Sequence, residues 1–241
     1  MTARESTSAR DASVYGGHRF LEAMRSAPRY ADAVYALIRD AAPPSAEGPI
    51  LDFGAGDGMF VERFLADGIA VECVEPDAAN RTALQTKGAA VAADISEAEA
   101  ERYAFIYTIN VLEHLHDLGH YLGEIHRVLR SQGRLFVFVP AFEVLWTSLD
   151  DEVAHVRRFT RKSLTQWLTA AGFAIEQTRY FDSAGFPAAL TIRLIEKIGL
   201  FRYSPRSVGL YDKAFLPLSL VGDRALSGLV GKNVIAVARK L

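Results

Sequence analysis

The sequence has little that would suit secretion, membrane insertion or polyanion binding. Its 241 residues include one cysteine, Cys73, so an intramolecular disulfide is excluded, and we expect this thiol in a core kept in a reducing compartment. No run of about 18 apolar residues is present, and the polar N-terminus lacks the apolar stretch of a signal peptide. The net charge of −2 provides no broad positive field for nucleic acid. These absences predict a cytoplasmic protein that has no transmembrane segment and binds no nucleic acid.

The composition is sufficient for a core of ordinary size. Half of the residues are apolar, and the length favours one domain of roughly 150–250 residues. A polar start followed by an amphipathic helix at 30–42 predicts an N-terminal tail and helical flap over residues 1–45. We expect one domain over residues 46–241, with an apolar insertion near residues 184–230 that covers it.

Short apolar strands alternate with amphipathic helices along most of the chain. Two of these helices have expected N-caps at Asp77 and Asp117, and the second is expected to end near Gly133. This alternation is typical of right-handed crossovers between parallel strands, so the predicted fold class is α/β, a doubly wound Rossmann-like domain. The irregular segment 141–159 is expected to cross the sheet as a loop with a short helix. The predicted strands lie at 49–53, 70–76, 89–94, 103–110, 134–140, 173–181 and 233–240.

A glycine-rich turn, "LDFGAGDG" (51–58), joins the first of these strands to a helix. Such a turn lets a ligand approach the backbone, and the helix N-terminus adds unpaired N–H groups, so a nucleotide-like ligand is expected. The glycines are spaced G-x-G-x-G, whereas a dinucleotide site uses G-x-G-x-x-G, which argues against NAD and FAD. The acids Asp52 and Asp57 would repel a pyrophosphate but suit an ammonium group. Their charge favours an aminoacyl nucleoside.

The turn resembles motif I, D-x-G-x-G-x-G, of class I S-adenosylmethionine (SAM)-dependent methyltransferases, in the ubiquinone-type branch with its type 11 and type 23 domains. Three further matches fall at the spacing of that family. Glu75 ends the second strand, where a carboxylate can accept from both ribose hydroxyls. Asp94 ends the third strand, where the acid of the family accepts from the adenine amine. "NVLEHLHD" (110–117) resembles the family's motif after the fourth strand, beside the methyl group.

This resemblance implies a cofactor, a product and a sheet order. The cofactor is SAM, the product is S-adenosylhomocysteine (SAH), and the sheet has seven mostly parallel strands in the order 3-2-1-4-5-7-6. The residues implied to contact the cofactor come from the glycine turn, from the ends of the second and third strands and from the start of the motif after the fourth: Asp52, Phe53, Gly54, Ala55, Gly56, Glu75, Pro76, Asp94, Ile95, Asn110 and Val111.

A second resemblance covers the C-terminal half. Segments 145–159 and 231–240 are similar to a bacterial small-molecule methyltransferase subgroup with the tracts L-Y-x-S-L-D-x-x-x-G-H-x-R-R-[YF] and G-x-N-x-x-x-V-A-R-K. Two residues depart from this pattern, because Trp146 stands for the tyrosine and Ala154 for the glycine before His155. The second departure restricts the local backbone.

The chemistry of methyl transfer selects the candidate catalytic residues. The reaction is an in-line displacement, and a base helps when the attacking atom carries a proton. Histidine is the usual base near neutral pH. His114, His116 and His155 are the candidates, and the predicted catalytic residues are His114 and His155, although in the family the first often only shapes the cofactor pocket.

Three residues are predicted to contact the substrate. Tyr15 precedes the first strand, where such enzymes add a flap, and Arg157 and Arg158 can grip a carboxylate or phosphate. The alternative for the arginines is that one pairs with an acid at 150–152 and braces the covering segment.

The insertion near 184–230 leaves three interpretations open: a cover for the acceptor, a dimer surface, or a membrane-surface contact. The predicted partner is a small-molecule acceptor, apolar or anionic, bound by a monomer or a homodimer. No metal is expected. Glu113 and Asp117 could imitate the acidic ligands of metal-dependent O-methyltransferases, but the local motif resembles the metal-independent branch more closely.

The predicted function is methyl transfer from SAM to an oxygen or nitrogen of a small molecule in biosynthetic or secondary metabolism. The alternatives are C-methylation, or a protein that binds SAM or SAH without transfer. Nucleic-acid methylation is disfavoured by the charge balance and because "NVLE" stands where an N/D-P-P-Y/F tetrad would follow the fourth strand.

Overall fold

A computed structural model describes residues 24–43, 48–196 and 205–241. The strands are β1 (Ile50–Phe53), β2 (Val71–Val74), β3 (Ala90–Ala92), β4 (Tyr103–Ile109), β5 (Leu129–Pro140), β6 (Phe173–Phe181) and β7 (Asn233–Lys240). The helices are α1 (Pro28–Ala41), α2 (Met59–Ala66), α3 (Ala78–Thr86), α4 (Leu118–Val128), α5 (Ser148–Glu152), α6 (Arg161–Ala170), α7 (Gly185–Glu196), α8 (Pro205–Ala214) and α9 (Leu216–Leu226).

The strands form one sheet of seven in the order β3-β2-β1-β4-β5-β7-β6. β1 pairs in parallel with β2 and β4, β2 with β3, and β4 with β5, whereas β7 runs antiparallel between β5 and β6. The predicted doubly wound α/β class and the sheet order implied by the resemblance are confirmed. Because β1 to β4 are parallel, their carboxyl ends lie at one edge of the sheet, which is where ligands bind in such folds.

Helices cover both faces of the sheet. On one face, α4 and α6 bury Leu122 and Leu164 against the strands. On the other face, α1 and α2 bury Ile38 and Phe64, and the ring of Phe64 stacks on Tyr107 of β4 with centroids 5.3 Å apart. Each such side chain contributes about 1.5–3 kcal/mol when it is fully buried. The helix of the predicted flap, α1, therefore packs on the sheet as part of the core.

Local sequence rules account for the starts of α3 and α4 but not for the end of α4. Asp77 accepts a hydrogen bond from the Asn80 backbone at 2.9 Å, and Asp117 accepts one from the His120 backbone at 3.1 Å, so both predicted N-caps are confirmed. The predicted end of α4 near Gly133 is wrong, because the helix stops at Val128. Leu129 instead begins β5 and pairs with Tyr103 of β4, so strand pairing overrides the helical pattern there.

A covering segment, residues 141–160, leaves the sheet at the end of β5 and returns to it. The Phe159 N–H donates to the carbonyl of Pro140 at 2.9 Å, so both ends of the segment meet. The Val156 N–H donates to the carbonyl of Glu113 at 2.9 Å, which fastens the segment to the loop after β4. Between these ties lies α5, as the predicted loop with a short helix requires.

The predicted insertion forms α7, α8 and α9 between β6 and β7. Glu196 of α7 accepts from the Ser148 backbone at 3.1 Å, which joins the insertion to the covering segment. Buried Asp223 of α9 accepts from the backbones of Asp182 and Ser183 at 2.9 and 2.7 Å, which anchors it to the end of β6. Across the described ranges, none of the helices is long and apolar enough to span a membrane.

Ala154 has a left-handed backbone, with φ of 59°. Its N–H donates to the Asp151 carbonyl at 3.1 Å and the His155 N–H to the Asp150 carbonyl at 2.8 Å, the two bonds of a Schellman motif that ends α5. Glycine is the usual residue at this position because it has no Cβ to clash. The glycine of the resembling subgroup is thus explained, and alanine here retains the same backbone under strain.

We predict that Ala154→Gly stabilises the protein by about 1 kcal/mol, because left-handed backbone costs roughly 1–2 kcal/mol with a Cβ. Thermal unfolding should show a midpoint raised by about 2–4 °C. The matched control is Ala36→Gly at an exposed position inside α1, where the same change should cost about 1 kcal/mol. A lower midpoint for Ala154→Gly would contradict the strain.

Candidate active site

The glycine turn fits tightly against the loop after β4. Gly54 has φ of +84°, and a Cβ placed on it would lie 2.3 Å from Cγ2 of Val111. Gly58, with φ of +82°, would bring a Cβ within 2.7 Å of Leu84. Gly54 also donates its N–H to the Val74 carbonyl of β2 at 2.8 Å. The turn therefore requires glycine both for its backbone angles and for the approach of Val111.

Glu75 follows β2 and links that strand end to the glycine turn. It is buried, and its two oxygens accept from the backbone N–H groups of Gly56 at 2.8 Å and Asp77 at 2.9 Å. A carboxylate offers about four lone-pair sites, so two further donors can be accepted. Pro76 continues the chain between them, and its carbonyl accepts from Arg81 at 2.6 Å. The position and remaining capacity of Glu75 suit a diol donor.

Asp94 follows β3 and caps a short 3-10 helix, Ile95–Glu97. It accepts from the Ser96 backbone at 2.8 Å and is partly exposed, so lone pairs remain for a ligand donor. The Ile95 side chain is 1% exposed and lies in the core. Any ligand contact at residue 95 would therefore come from its backbone.

The charge of the turn is smaller than the sequence implies. Asp57 pairs with Arg25 at 2.7 Å. Asp52 is buried, and burial raises its pKa to about 8, with the Glu75 charge adding to the effect and the Tyr107 hydroxyl opposing it. Asp52 is therefore mostly neutral at pH 7. The negative charge that these two acids offer to an ammonium group is therefore reduced, although Asp52 retains polar oxygens beside the turn. The neighbouring Phe53 is buried against the other face of the sheet.

The loop after β4 begins with a second unusual backbone. Asn110 has φ of 53°, in the left-handed region that asparagine tolerates better than most residues, and its N–H donates to the Phe138 carbonyl at 2.8 Å. Val111 follows and meets Gly54. In the sheet order, Asp94, Glu75, the glycine turn with Ala55, and Asn110 thus stand at successive strand ends of one edge.

A buried carboxylate organises the covering segment above this edge. Asp150 is 1% exposed and receives Arg158 through two hydrogen bonds, of 2.8 and 2.9 Å, and the Thr147 backbone at 2.8 Å. Burial alone would raise the pKa of Asp150, but hydrogen bonds from His155 and Arg158 outweigh it and hold the pKa well below the usual range. Asp150 is an anion that accepts only. Arg158 also donates to the Ala141 carbonyl at 3.0 Å, as a brace would.

His155 is oriented by that anion. Its Nδ1 lies 2.7 Å from Oδ1 of Asp150, and since the carboxylate can only accept, Nδ1 carries the proton. In the neutral ring, Nε2 is then left with a lone pair. Nε2 points toward Glu113, 3.7 Å from Oε1. The ring of His114 meets the ring of His155 edge to face, with centroids 4.7 Å apart.

Glu113, His114 and His155 form a compact group of possible ligand atoms, all within 4.8 Å of one another. Burial raises the pKa of Glu113 to about 8, against opposing effects of its own backbone amide and of Arg158. Burial likewise lowers the pKa of His114 to about 4, and the His155 charge adds to this, so His114 is neutral at pH 7. The structure thus brings together both predicted catalytic histidines.

Arg157 and Tyr15 are the remaining candidates for contact with the substrate. Arg157 donates to the His116 carbonyl at 3.1 Å, and its guanidinium lies 5.8 Å from the centroid of the Trp167 ring. Tyr15 lies outside the described residues. Of the two alternatives for the arginines, Arg158 follows the second, because it pairs with Asp150, while the contact of Asp150 with His155 was not predicted from the sequence. Glu113 was weighed with Asp117, which instead caps α4.

The residues at this edge fit SAM. At Gly54 the side chain of Val111 takes the space of a Cβ and brings the loop after β4 against the glycine turn, and two carboxylates with spare lone pairs follow β2 and β3. The carboxylates match the hydroxyl and amine donors of an adenosine group. Glu113 and His114 follow β4, two and three residues beyond Val111, and His155 meets them from the covering segment.

Comparisons with known proteins agree with this arrangement. The family model of the methyltransferase domain matches residues 20–178. Among proteins with curated descriptions, none matches this sequence significantly. A SAM-dependent methyltransferase from Thermotoga maritima, a possible histamine N-methyltransferase, superposes with a TM-score of 0.62 at 16% identity, over 92% of this chain and 94% of that one.

Two further solved structures share the fold. Phosphoethanolamine N-methyltransferase 2 of Haemonchus contortus, in complex with SAM, gives a TM-score of 0.58 at 15% identity over 87% of this chain and 52% of that one. Geranyl diphosphate methyltransferase with GPP and sinefungin gives 0.61 at 14% identity over 87% and 79%. At these identities the likeness shows the fold, while the family model covers most of the chain. The chain belongs to the methyltransferase domain family and has the fold of SAM-dependent methyltransferases.

Proposed function

We propose that this protein transfers a methyl group from SAM to an oxygen or nitrogen of a small-molecule acceptor in biosynthetic metabolism. The observation that carries the proposal is the position of the His155–Asp150 pair: it lies over the loop that follows β4, whose Val111 contacts the glycine turn. A cofactor-binding edge and an oriented proton acceptor thus adjoin each other.

In this proposal each strand end has a separate task. The glycine turn admits the aminoacyl part of the cofactor, and Glu75 accepts from the ribose hydroxyls with the lone pairs that Gly56 and Asp77 leave free. Asp94 accepts from the adenine amine, and Asn110 presents backbone and amide groups near the methyl-bearing end. SAM supplies an electrophilic methyl on a sulfonium. The protein supplies position, which can account for several kcal/mol of the barrier.

The acceptor side depends on His155. The acceptor lone pair forms the new bond to the methyl carbon while the carbon–sulfur bond breaks. The electrons of the broken bond stay on sulfur, which becomes the neutral thioether of SAH. A hydroxyl acceptor must also lose its proton, and an ammonium acceptor must lose one first to gain a lone pair; Nε2 of His155 carries the lone pair that can take this proton. Asp150 stabilises the resulting imidazolium, because it is a buried anion at 2.7 Å.

Arginine chemistry favours different tasks for the two predicted substrate residues. Arg158 is committed to Asp150 and is best described as a positioning residue. Arg157 has one contact with a backbone carbonyl and one with a ring, so it retains donors for an anionic acceptor. The acceptors named for the neighbours, an amine, a phosphate-bearing amine and a prenyl diphosphate, define chemical classes for a screen.

The first test is calorimetric titration with SAM and SAH. Glu75→Ala should weaken binding more than tenfold, a loss above about 1.4 kcal/mol, because two ribose hydrogen bonds disappear. Glu72→Ala is the matched control: it removes another carboxylate of the same strand region, one that pairs with Arg102 away from the site. Equal affinities in both variants would refute the ribose role, and NADH binding in place of SAM would refute the cofactor.

A second test concerns the glycine turn. Gly54→Ala should abolish measurable SAM binding and lower the unfolding midpoint, because its Cβ would lie 2.3 Å from Val111. Gly68→Ala is the matched control, since its φ of +73° gives a comparable backbone strain but no atom lies within 4 Å of the added Cβ. Retained SAM affinity in Gly54→Ala would show that the turn does not shape the cofactor site.

A third test measures transfer. Small hydroxyl, amine and phosphate-bearing acceptors are screened for SAH release, and for an active acceptor His155→Ala should lower kcat by about 100-fold or more with SAM affinity unchanged. His120→Ala, an exposed histidine on α4, should behave like the unmodified protein. An unchanged kcat in His155→Ala would favour C-methylation or another base, and SAM binding without transfer to any class would favour a binding protein.

A further inference from the structure

Glu113 is an unusual buried acid. It is 0% exposed, and apart from its own backbone amide neither carboxylate oxygen has a hydrogen-bond partner within the described part of the chain. A buried carboxylate without a partner costs several kcal/mol, so it must be neutralised by a proton or by a cation. The surrounding histidines indicate which of the two neutralises Glu113.

A proton alone leaves the arrangement unsatisfied. A neutral Glu113 has a hydroxyl that must find an acceptor, and the facing atom is Nε2 of His155 at 3.7 Å. That distance exceeds the hydrogen-bond range, which ends at about 3.2 Å. It is close to the separation of about 3.3–3.5 Å between two ligand atoms of a tetrahedral ion with bonds of about 2.0–2.1 Å. The gap is too wide for a direct hydrogen bond and suits an ion between the two atoms.

The histidines are prepared as ligands. A metal-binding imidazole must be neutral, and its other nitrogen commonly donates to a carboxylate that fixes the ring. His155 meets the second condition, because Nδ1 donates to Asp150 and Nε2 faces Glu113. The ring of His114 donates to the backbone carbonyls of Val153 and Ala154, the residues before His155. The Schellman motif that places Ala154 in its left-handed backbone thus also sets the two histidines against each other.

We infer that Glu113, His114 and His155 bind a divalent first-row metal ion of the Zn²⁺ or Co²⁺ type. Two imidazoles and one carboxylate suit such ions better than Ca²⁺ or Mg²⁺, which prefer oxygen ligands. Their ligand atoms lie within 4.8 Å of one another, so closing onto an ion requires shifts of roughly 1 Å. This assignment replaces the expectation from sequence that the protein uses no metal.

Three protein ligands leave a coordination position open, which is typical of catalytic sites. The inference rests on the proposed function for its role: at that position the ion would lower the pKa of an acceptor hydroxyl, whose proton would leave to solvent. Nε2 of His155 would serve as a ligand when the ion is bound and as the base when it is not. Binding of the ion itself does not depend on methyl transfer. The two claims can therefore fail separately.

The test uses the full-length, untagged protein after chelator treatment, titrated with Zn²⁺ by calorimetry and with Co²⁺ by visible absorption. We expect one ion per chain, with absorption bands of a low-symmetry Co²⁺ site, and a higher unfolding midpoint with Zn²⁺. Glu113→Gln, which keeps the side-chain shape, and His155→Ala should each weaken binding more than tenfold. His120→Ala is the matched control for adventitious binding by a surface histidine and should bind like the unmodified protein.

Each outcome separates the two proposals. Unaltered ion affinity in both Glu113→Gln and His155→Ala, or no saturable binding by the unmodified protein, overturns the metal site and leaves Glu113 protonated. Thermal unfolding of the same samples shows whether each variant is folded, and SAM titration tests the proposed function separately. Ion binding without SAM binding overturns the proposed function and supports the metal site. SAM binding without ion binding supports the proposed function and overturns the metal site.

Discussion

Parallel pairing of β1 with β2 and β4 is the constraint on which the candidate site depends. It brings the carboxyl ends of these strands to one edge, so the glycine turn, Glu75 and Asn110 become neighbours although the sequence separates them. β3 extends the same edge to Asp94. Without this alignment the residues would be isolated turns and caps. With it they form a row of polar groups beside a turn that admits no side chain at Gly54.

A second layer rests on the buried anion Asp150. Its bonds to Arg158 and His155 join α5 to the loop that follows it. The Val156 N–H of that loop donates to the Glu113 carbonyl and so connects it to the loop after β4. Removing one member of a buried pair costs more than the pair contributes, because the other charge remains desolvated. The same anion that stabilises the covering segment therefore also determines which nitrogen of His155 carries the proton. Asp150 thus both stabilises the covering segment and orients His155.

Burial and hydrogen-bond partners determine which of the buried acids carry a charge. Asp52 and Glu113 are charged residues by sequence, but burial raises both pKa values to about 8. Asp150, no less hidden from solvent, remains an anion because Arg158 and His155 donate to it. The difference lies in the partners and not in the residue type. An acid that is buried without partners points to a missing counter-charge, which is the basis for assigning a metal to the Glu113 cluster.

The amino-acid sequence by itself determined the fold class, the strands, the helix caps at Asp77 and Asp117, and the family, because periodicity, capping and the glycine spacing are local properties of the chain. It also named His114 and His155. The tertiary structure decided where α4 ends, since Leu129 joins β5 through pairing with Tyr103. It decided that Asp150 orients His155 and that Asp57 forms an ion pair with Arg25. It also decided that Glu113 lies beside two histidines, whereas Asp117 caps a helix. These facts depend on burial and on contacts between distant segments, and neither is encoded in the spacing of residues along the chain.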